Sequence, residues 1–143
     1  MKRIAVRRIS LLLGVLALGS TADASTRPQQ ALTIALEPGA AVQRLTNVYR
    51  CRLDRNGASL DEIGALQAML PSGPFRVEYI NTDDIHLAIV PVNGRTHVMT
   101  EVISADGGKY TVDAVTWWTR GNEARFTSEM GQTRAAMICT TQP

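Results

Sequence analysis

Two short glycine-bearing segments carry the residues best suited by type and spacing to contact another molecule. They are 103–110, which reads ISADGGKY, and 117–124, which reads WWTRGNEA. The paired glycines of the first segment permit positive φ and let a backbone approach a partner closely. In the second segment Arg120 would present a guanidinium at a turn, suited to bidentate pairing with a carboxylate. Taken alone, each segment also fits an ordinary hairpin turn with flanking aromatic residues.

The sequence contains no recognisable catalytic or cofactor motif. A G-x-S-x-G elbow, a phosphate-binding Walker loop, a paired-glycine dinucleotide fingerprint and H-E-x-x-H are all missing. Asp83 and Asp84 are adjacent, and neighbouring side chains on a strand point to opposite faces, so a solvated turn is expected there. His86 and His97 are isolated. We therefore predict a protein that is not an enzyme and that uses no metal or cofactor.

The N-terminal segment has the layout of a secretory signal peptide. Four basic residues lie within the first eight positions, an apolar run follows over 9–18, and Ala22-Asp23-Ala24 matches an A-x-A cleavage site. The apolar run is too short to span a bilayer as a helix, and no cysteine is available near the cleavage site for a lipid anchor. The sequence thus predicts cleavage before Ser25, a periplasmic location and no membrane anchor.

Removal of residues 1–24 changes the charge balance. The full chain has 15 basic and 13 acidic residues, of which this segment holds four and one, so 11 basic and 12 acidic residues remain, a net charge of −1. No basic stripe is left to bind nucleic acid. About one domain's length of chain remains.

Cys51 and Cys139 are the two cysteines of the chain. In an exported protein such a pair is typical of a disulfide. The alternative, metal binding, lacks a C-x-x-C motif. We therefore predict a Cys51–Cys139 bond.

Hydrophobic periodicity predicts one helix among many strands. A capping box formed by Ser59 and Glu62 precedes helical apolar spacing up to Leu70, and Leu60, Ile63, Leu66 and Leu70 are expected to be buried. Alternation and turn signals predict strands over 31–36, 44–53, 75–80, 85–92, 96–103, 110–119, 123–128 and 133–140. The pattern indicates an all-β antiparallel sheet, closed as a barrel or a sandwich, with a helix inserted at about 59–70.

In order along the chain, several short motifs together resemble the MliC/PliC family of bacterial inhibitors of c-type lysozyme. They are Tyr49-x-Cys51, Phe75-x-Val77-x-Tyr79 with Asn81, Asp106-Gly107-x-Lys109-Tyr110, Trp118-Thr119-Arg120-Gly121-x-Glu123-Ala124, and Cys139. The resemblance implies an antiparallel eight-stranded β-barrel, for which we predict the bounds 44–143. Composition and alternation, rather than the resemblance, predict a leader and a candidate first strand over 25–43. The resemblance also implies a disulfide between the first and last barrel strands.

The resemblance further implies a partner and a mechanism. A glycine-rich loop and a cationic loop would enter the active-site cleft of a c-type lysozyme and contact its catalytic carboxylates. The implied lysozyme-binding residues are Ser104, Asp106, Gly107, Gly108, Lys109, Tyr110 and Arg120.

This chain departs from the family pattern at two positions. Arg120 stands where the family has lysine, which keeps the positive charge. Asp106 stands where the family has serine, and a carboxylate there would repel the lysozyme carboxylates unless a proton is shared. Ser104, two residues earlier, could supply the hydroxyl instead.

Two other functions fit the same sequence features. A periplasmic barrel could bind a small ligand or cell-wall fragment, with Trp117, Trp118 and Tyr110 forming a stacking surface for sugar. The barrel could also serve only as a docking module of the cell envelope.

Overall fold

A computed structural model describes residues 31–56, 58–130 and 134–143. The predicted signal peptide at 1–24 and the leader up to residue 30 lie outside the described residues. The chain divides into two units, Met1–Ala35 and Leu36–Pro143. In the first unit, the described residues 31–35 have no regular secondary structure, and residue 36 has none either. The predicted strand over 31–36 is therefore wrong: its alternation is brief, and it finds no neighbouring strand to pair with.

The second unit is an all-antiparallel, closed barrel of eight strands in which each strand pairs with the next along the chain. Its elements are β1 (Gln43–Asp54), α1 (Leu60–Met69), β2 (Phe75–Asn81), β3 (His86–Val92), β4 (Arg95–Val102), β5 (Gly108–Val112), β6 (Val115–Arg120), β7 (Glu123–Ser128) and β8 (Ala136–Thr141). The predicted fold class is confirmed.

The long strand β1 closes the barrel. Its first half pairs with β2, and its second half, from Tyr49 onward, pairs with β8. Cys51 lies directly opposite Cys139 in the β1–β8 ladder, and the two form a disulfide. The predicted bond therefore links the first and last strands, as the resemblance implies.

Aromatic side chains fill the middle of the barrel. Trp117 is fully buried, with its ring edge-on to Tyr49 at 5.0 Å between centroids. The Trp117 indole N–H donates to the Tyr79 hydroxyl at 2.9 Å, and that hydroxyl shares a further hydrogen bond with the Tyr49 hydroxyl. Burial raises the pKa of Tyr79 far above its usual value. The polar tips of these rings thus satisfy one another inside the core.

The sequence pattern 110–119 is two strands rather than the single one predicted. Residues 113 and 114 form a two-residue hairpin turn, closed by the pair Val112↔Val115. Asp113 adopts a φ of 48° there, a conformation that Asp tolerates better than most residues. The turn lacks glycine, which is the signal the prediction relied on.

Helix α1 begins at a complete capping box and packs on the barrel. The Ser59 hydroxyl accepts from the Glu62 N–H, and the Glu62 carboxylate accepts from the Ser59 N–H at 2.7 Å. Ile63 and Leu66 are buried as predicted, whereas Leu60 is 78% exposed. Leu60 is the first helical residue and lies outside the face turned to the core. The Asn93 N–H donates to the Met69 carbonyl at 2.8 Å and ties the helix to the β3–β4 turn.

Because every connection reverses direction, successive connections emerge at alternate ends of the barrel. Connections 93–94 and 113–114, together with the described residues of 55–74 and 129–135, emerge at one end, here called the helix end, with α1. Connections 82–85, 103–107 and 121–122 emerge at the other, here called the loop end. No helix in the part of the chain that the structure describes has the length and apolar character to span a bilayer.

Candidate functional site

The two glycine-bearing segments come together at the loop end. Strands β5 and β6 are neighbours in which Gly108 pairs with Thr119 and Lys109 with Trp118. The 103–107 loop leads into β5, and the 121–122 turn leaves β6, so both project from adjacent strands at one end of the barrel. A single cleft in a partner could therefore receive both segments.

An ion pair joins the tips of the two segments. Arg120 Nε lies 3.2 Å from Asp106 Oδ2, and both side chains are more than half exposed. An exposed pair of this kind contributes at most about 1 kcal/mol, so it can open when a stronger partner arrives. The two residues that depart from the family pattern are thus in contact with each other.

The Trp118 side chain contacts both segments. Its indole N–H donates to the Asp106 carbonyl at 2.7 Å, and the Arg120 guanidinium lies 4.6 Å from its ring centroid. Lys109 Nζ lies 5.9 Å from the same ring. Both cations are within the range of a cation–π contact. Sequence reasoning placed Trp118 only in the sugar-stacking alternative and not among the lysozyme-binding residues. Its position two residues before Arg120 on one strand nevertheless puts both side chains on the same face.

The 103–107 loop is folded by its own hydrogen bonds. The Ser104 hydroxyl donates to the Gly107 carbonyl at 2.8 Å, with the Asp106 carbonyl at 3.3 Å. Its proton is therefore used inside the loop, and its lone pairs stay open to a donor from outside.

The backbone conformation and surroundings of Gly107 leave no room for a side chain. Its φ is +68°, and a Cβ built there would overlap the Thr119 carbonyl oxygen. At Gly108 a Cβ would lie 2.9 Å from the Tyr110 ring, closer than real contacts allow. The paired glycines thus permit close packing between the loop and β6, which is a structural reason for them beside any contact with a partner.

Tyr110 lies beneath the loop rather than on its surface. Its side chain is buried, and its ring is tilted against Tyr79 at 5.7 Å between centroids. Burial raises its pKa, and the nearby Glu101 carboxylate adds to that effect. Because Trp117 is also fully buried, the sugar-stacking surface predicted from Trp117, Trp118 and Tyr110 is wrong. Only Trp118 faces outward.

Among the described residues, no group of three or more His, Cys, Asp and Glu side chains converges in a way that could hold a metal ion. His86 Nδ1 instead lies 3.3 Å from Asn81 Oδ1 and 3.8 Å from Glu101 Oε2. These three residues lie at the rim of the loop end.

The family described as membrane-bound lysozyme inhibitor of c-type lysozyme, MliC, matches residues 71–135, which include both glycine-bearing segments. The crystal structure of Pseudomonas aeruginosa MliC in complex with hen egg white lysozyme superposes with a TM-score of 0.57 at 28% identity. The match covers 81% of this chain and 100% of that one. The barrel is therefore similar in fold and partly in sequence to MliC.

Two curated relatives support the MliC resemblance over part of the chain. A membrane-bound lysozyme inhibitor of C-type lysozyme from Pseudomonas aeruginosa is 49% identical over 51 residues, which is 35% of this chain and 40% of that protein. One from Cupriavidus necator is 26% identical over 82 residues, or 57% of this chain and 66% of that protein. The chain thus spans less than two thirds of the length of either relative.

The MliC match starts after α1. Its first residue is Pro71, so β1 and the helix lie outside it. The helix therefore adds a cover to the helix end, away from the two segments that the family match includes.

Proposed function

We propose that this protein inhibits a c-type lysozyme by inserting the 103–107 loop and Arg120 into the active-site cleft. The observation that carries the proposal is the contact between these two segments at the loop end of an MliC-type barrel. The solved MliC structure holds hen egg white lysozyme as its partner. An inhibitory role, rather than an enzymatic one, accords with the names of the relatives.

The charges at the loop end suit a cleft that contains carboxylates. Lysozyme cuts its substrate with two carboxyl groups, one of which keeps a raised pKa. On insertion, the Arg120 guanidinium exchanges its exposed pairing with Asp106 for pairing with a lysozyme carboxylate in a drier environment. Such a desolvated, charge-assisted contact is stronger than the exposed pair it replaces.

Asp106 has a different consequence in the complex. Its carboxylate would enter a site that already contains two others, and like charges there raise one another's pKa until a proton is shared. Arg120 offsets part of this repulsion because its positive charge is close to Asp106. Ser104, whose lone pairs are open, can accept a hydrogen bond from a protonated lysozyme carboxyl group.

The direct test is inhibition of cell-wall lysis by a c-type lysozyme in the presence of the purified protein. We expect inhibition, and Arg120→Ala should weaken it at least about tenfold because one member of a buried charge pair is lost. Arg95→Ala is the matched control: Arg95 is also exposed but follows the turn at the helix end. Absence of inhibition by the unmodified protein would overturn the proposal, as would equal losses from both substitutions.

The same proposal places the protein in the periplasm after removal of residues 1–24. Its support is the basic, apolar and small-residue order of that segment. The intact mass of protein recovered from a periplasmic fraction should correspond to a chain that begins at Ser25. Retention of the N-terminal segment in the membrane fraction would contradict this placement.

A further inference from the structure

An open groove of about 540 Å³ lies beside the 103–107 loop at the loop end. Its lining residues come from the β2–β3 connection, the start of β3, the end of β4 and the loop itself. They are Asp84, Ile85, His86, Leu87, Thr100, Glu101, Val102, Ile103, Ser104 and Gly107.

The groove exists because β3 and β4 separate before they reach the loop end. Their ladder extends only as far as the pair Leu87↔Thr100. Beyond it, Glu101 and Val102 pair with β5, and His86 pairs with Asn81 of β2. The two strands therefore diverge, and the space between them opens at the same end as the loop.

The groove combines an apolar wall with carboxylates. Ile103 is completely exposed at its shoulder, and Val102 is 37% exposed. Asp84 and Glu101 contribute carboxylates, and the nearest basic group facing Glu101 is His86 at 3.8 Å. Lysine and arginine side chains complement this groove, because each has an apolar stem that can pack on the wall and a cationic head that can pair with a carboxylate.

The groove is also continuous with the site of the proposed function. Ser104 and Gly107 line the groove and belong to the loop that would enter the lysozyme cleft. A protein that takes up this loop must therefore cover part of the groove, including the exposed Ile103.

We propose that the groove receives a lysine or arginine side chain of the lysozyme, from the rim of the cleft that takes the loop. This inference rests on the proposed function and extends its contact surface beyond Asp106 and Arg120. The stem of the basic side chain packs on Ile103 and Val102, and its head pairs with Asp84 and Glu101. The groove thus adds electrostatic complementarity and an apolar anchor outside the catalytic centre of the partner.

The test compares the inhibition constants of Asp84→Asn, Glu101→Gln and the double variant with that of the unmodified protein at low and high salt. The double variant should inhibit about threefold to tenfold less strongly at low salt, as expected for two rim charge pairs. Its affinity should also depend less on salt. The single variant Asp84→Asn measures the effect of a groove carboxylate without disturbing the contact between Glu101 and His86. The control is Asp83→Asn, which changes an exposed neighbouring acid outside the groove lining.

The apolar wall is tested separately with Ile103→Ser. The control is Val98→Ser, because Val98 is also exposed, at 53%, but lies earlier in β4 and outside the groove lining. Ile103→Ser should weaken inhibition several-fold, and Val98→Ser should leave it unchanged. If the unmodified protein inhibits and Arg120→Ala weakens it, but the groove variants equal their controls, the groove proposal is overturned and the proposed function stands. If the unmodified protein does not inhibit, both are overturned.

Discussion

At the residue scale, the site depends on contacts that cross between strands. Arg120 was identifiable from the sequence because a charge beside a glycine turn has a recognisable pattern, whereas Asp106 was assigned only through the family resemblance. Their mutual ion pair was not identifiable, because it depends on the register of β5 against β6. The same holds for Trp118, whose hydrogen bond reaches a carbonyl 12 residues earlier in the chain.

Replacing Trp118 with Phe should affect inhibition more than folding. The variant keeps a ring beneath Arg120 but loses the N–H that holds the Asp106 carbonyl, so we expect inhibition to weaken by about twofold to tenfold. Trp117→Phe is the matched comparison, since it removes the buried indole N–H that donates to the Tyr79 hydroxyl. It should lower the free energy of unfolding by about 1–3 kcal/mol. Inhibition assays and urea unfolding of both variants provide the measurements. A stability loss for Trp118→Phe as large as that for Trp117→Phe would contradict a positioning role.

At the scale of elements, the strands with clear alternation were predicted closely and the connections less well. The bounds of β7 agree exactly with the prediction, since a tight polar turn precedes it. Eight strands were predicted and eight are present, but two errors offset each other. The strand predicted at 31–36 does not exist, which adds one strand to the predicted count. The turn at Asp113, which lacks the usual glycine, was missed, which removes one strand from it. Local sequence cannot tell whether a short apolar run will find a partner strand, because pairing depends on distant residues.

The capping box of α1 should make part of the stability depend on pH. Hydrogen bonds from Ser59 hold the pKa of Glu62 below its ordinary value of 4.5. A carboxyl group with a lowered folded-state pKa stabilises the protein above its unfolded pKa, and this contribution is lost as pH falls through the folded pKa. Glu62→Gln should therefore lower the free energy of unfolding at neutral pH, and the difference should vanish in acid below 4.5. Urea unfolding across this pH range measures it.

The role of the helix can also be tested with a second capping-box variant and with the inhibition constants of both variants. Ser59→Ala removes the other half of the box and should cost about 1 kcal/mol at neutral pH. Neither variant should change the inhibition constant of the folded protein, because α1 lies at the opposite end from the loop. A difference between Glu62→Gln and the unmodified protein that stays constant with pH would show that the carboxylate charge is not involved.

At the scale of the whole molecule, the two ends of the closed barrel differ in what they carry. The helix end is covered by α1, and the loop end carries the candidate site and the groove. Periodicity indicated a closed antiparallel sheet, but the choice of an eight-stranded barrel came from the family resemblance. Closure requires β1 to meet β8 across the full length of the domain, and no local pattern contains that information.

Removal of the disulfide should lower stability without altering the site. Cys51 and Cys139 are separated by 88 residues, and linking them stabilises the fold by about 4–5 kcal/mol in the chain-entropy account. The double variant Cys51→Ala/Cys139→Ala should lose a comparable amount in urea unfolding. Under conditions where it remains folded, its inhibition constant should equal that of the unmodified protein. A weaker inhibition constant in the folded variant would mean that the bond also shapes the loop end.

The way the barrel closes also determines where the protein can be labelled or immobilised. The Thr141 N–H donates to the Asn122 carbonyl, so the last strand finishes against the turn that follows Arg120. Gln43 begins β1 at this same end. A purification tag, fluorophore or surface tether attached just before β1 or just after β8 would therefore crowd the loop end, which carries the candidate site. The Asn93-Gly94 turn, at the far end, is the better attachment point for a biosensor.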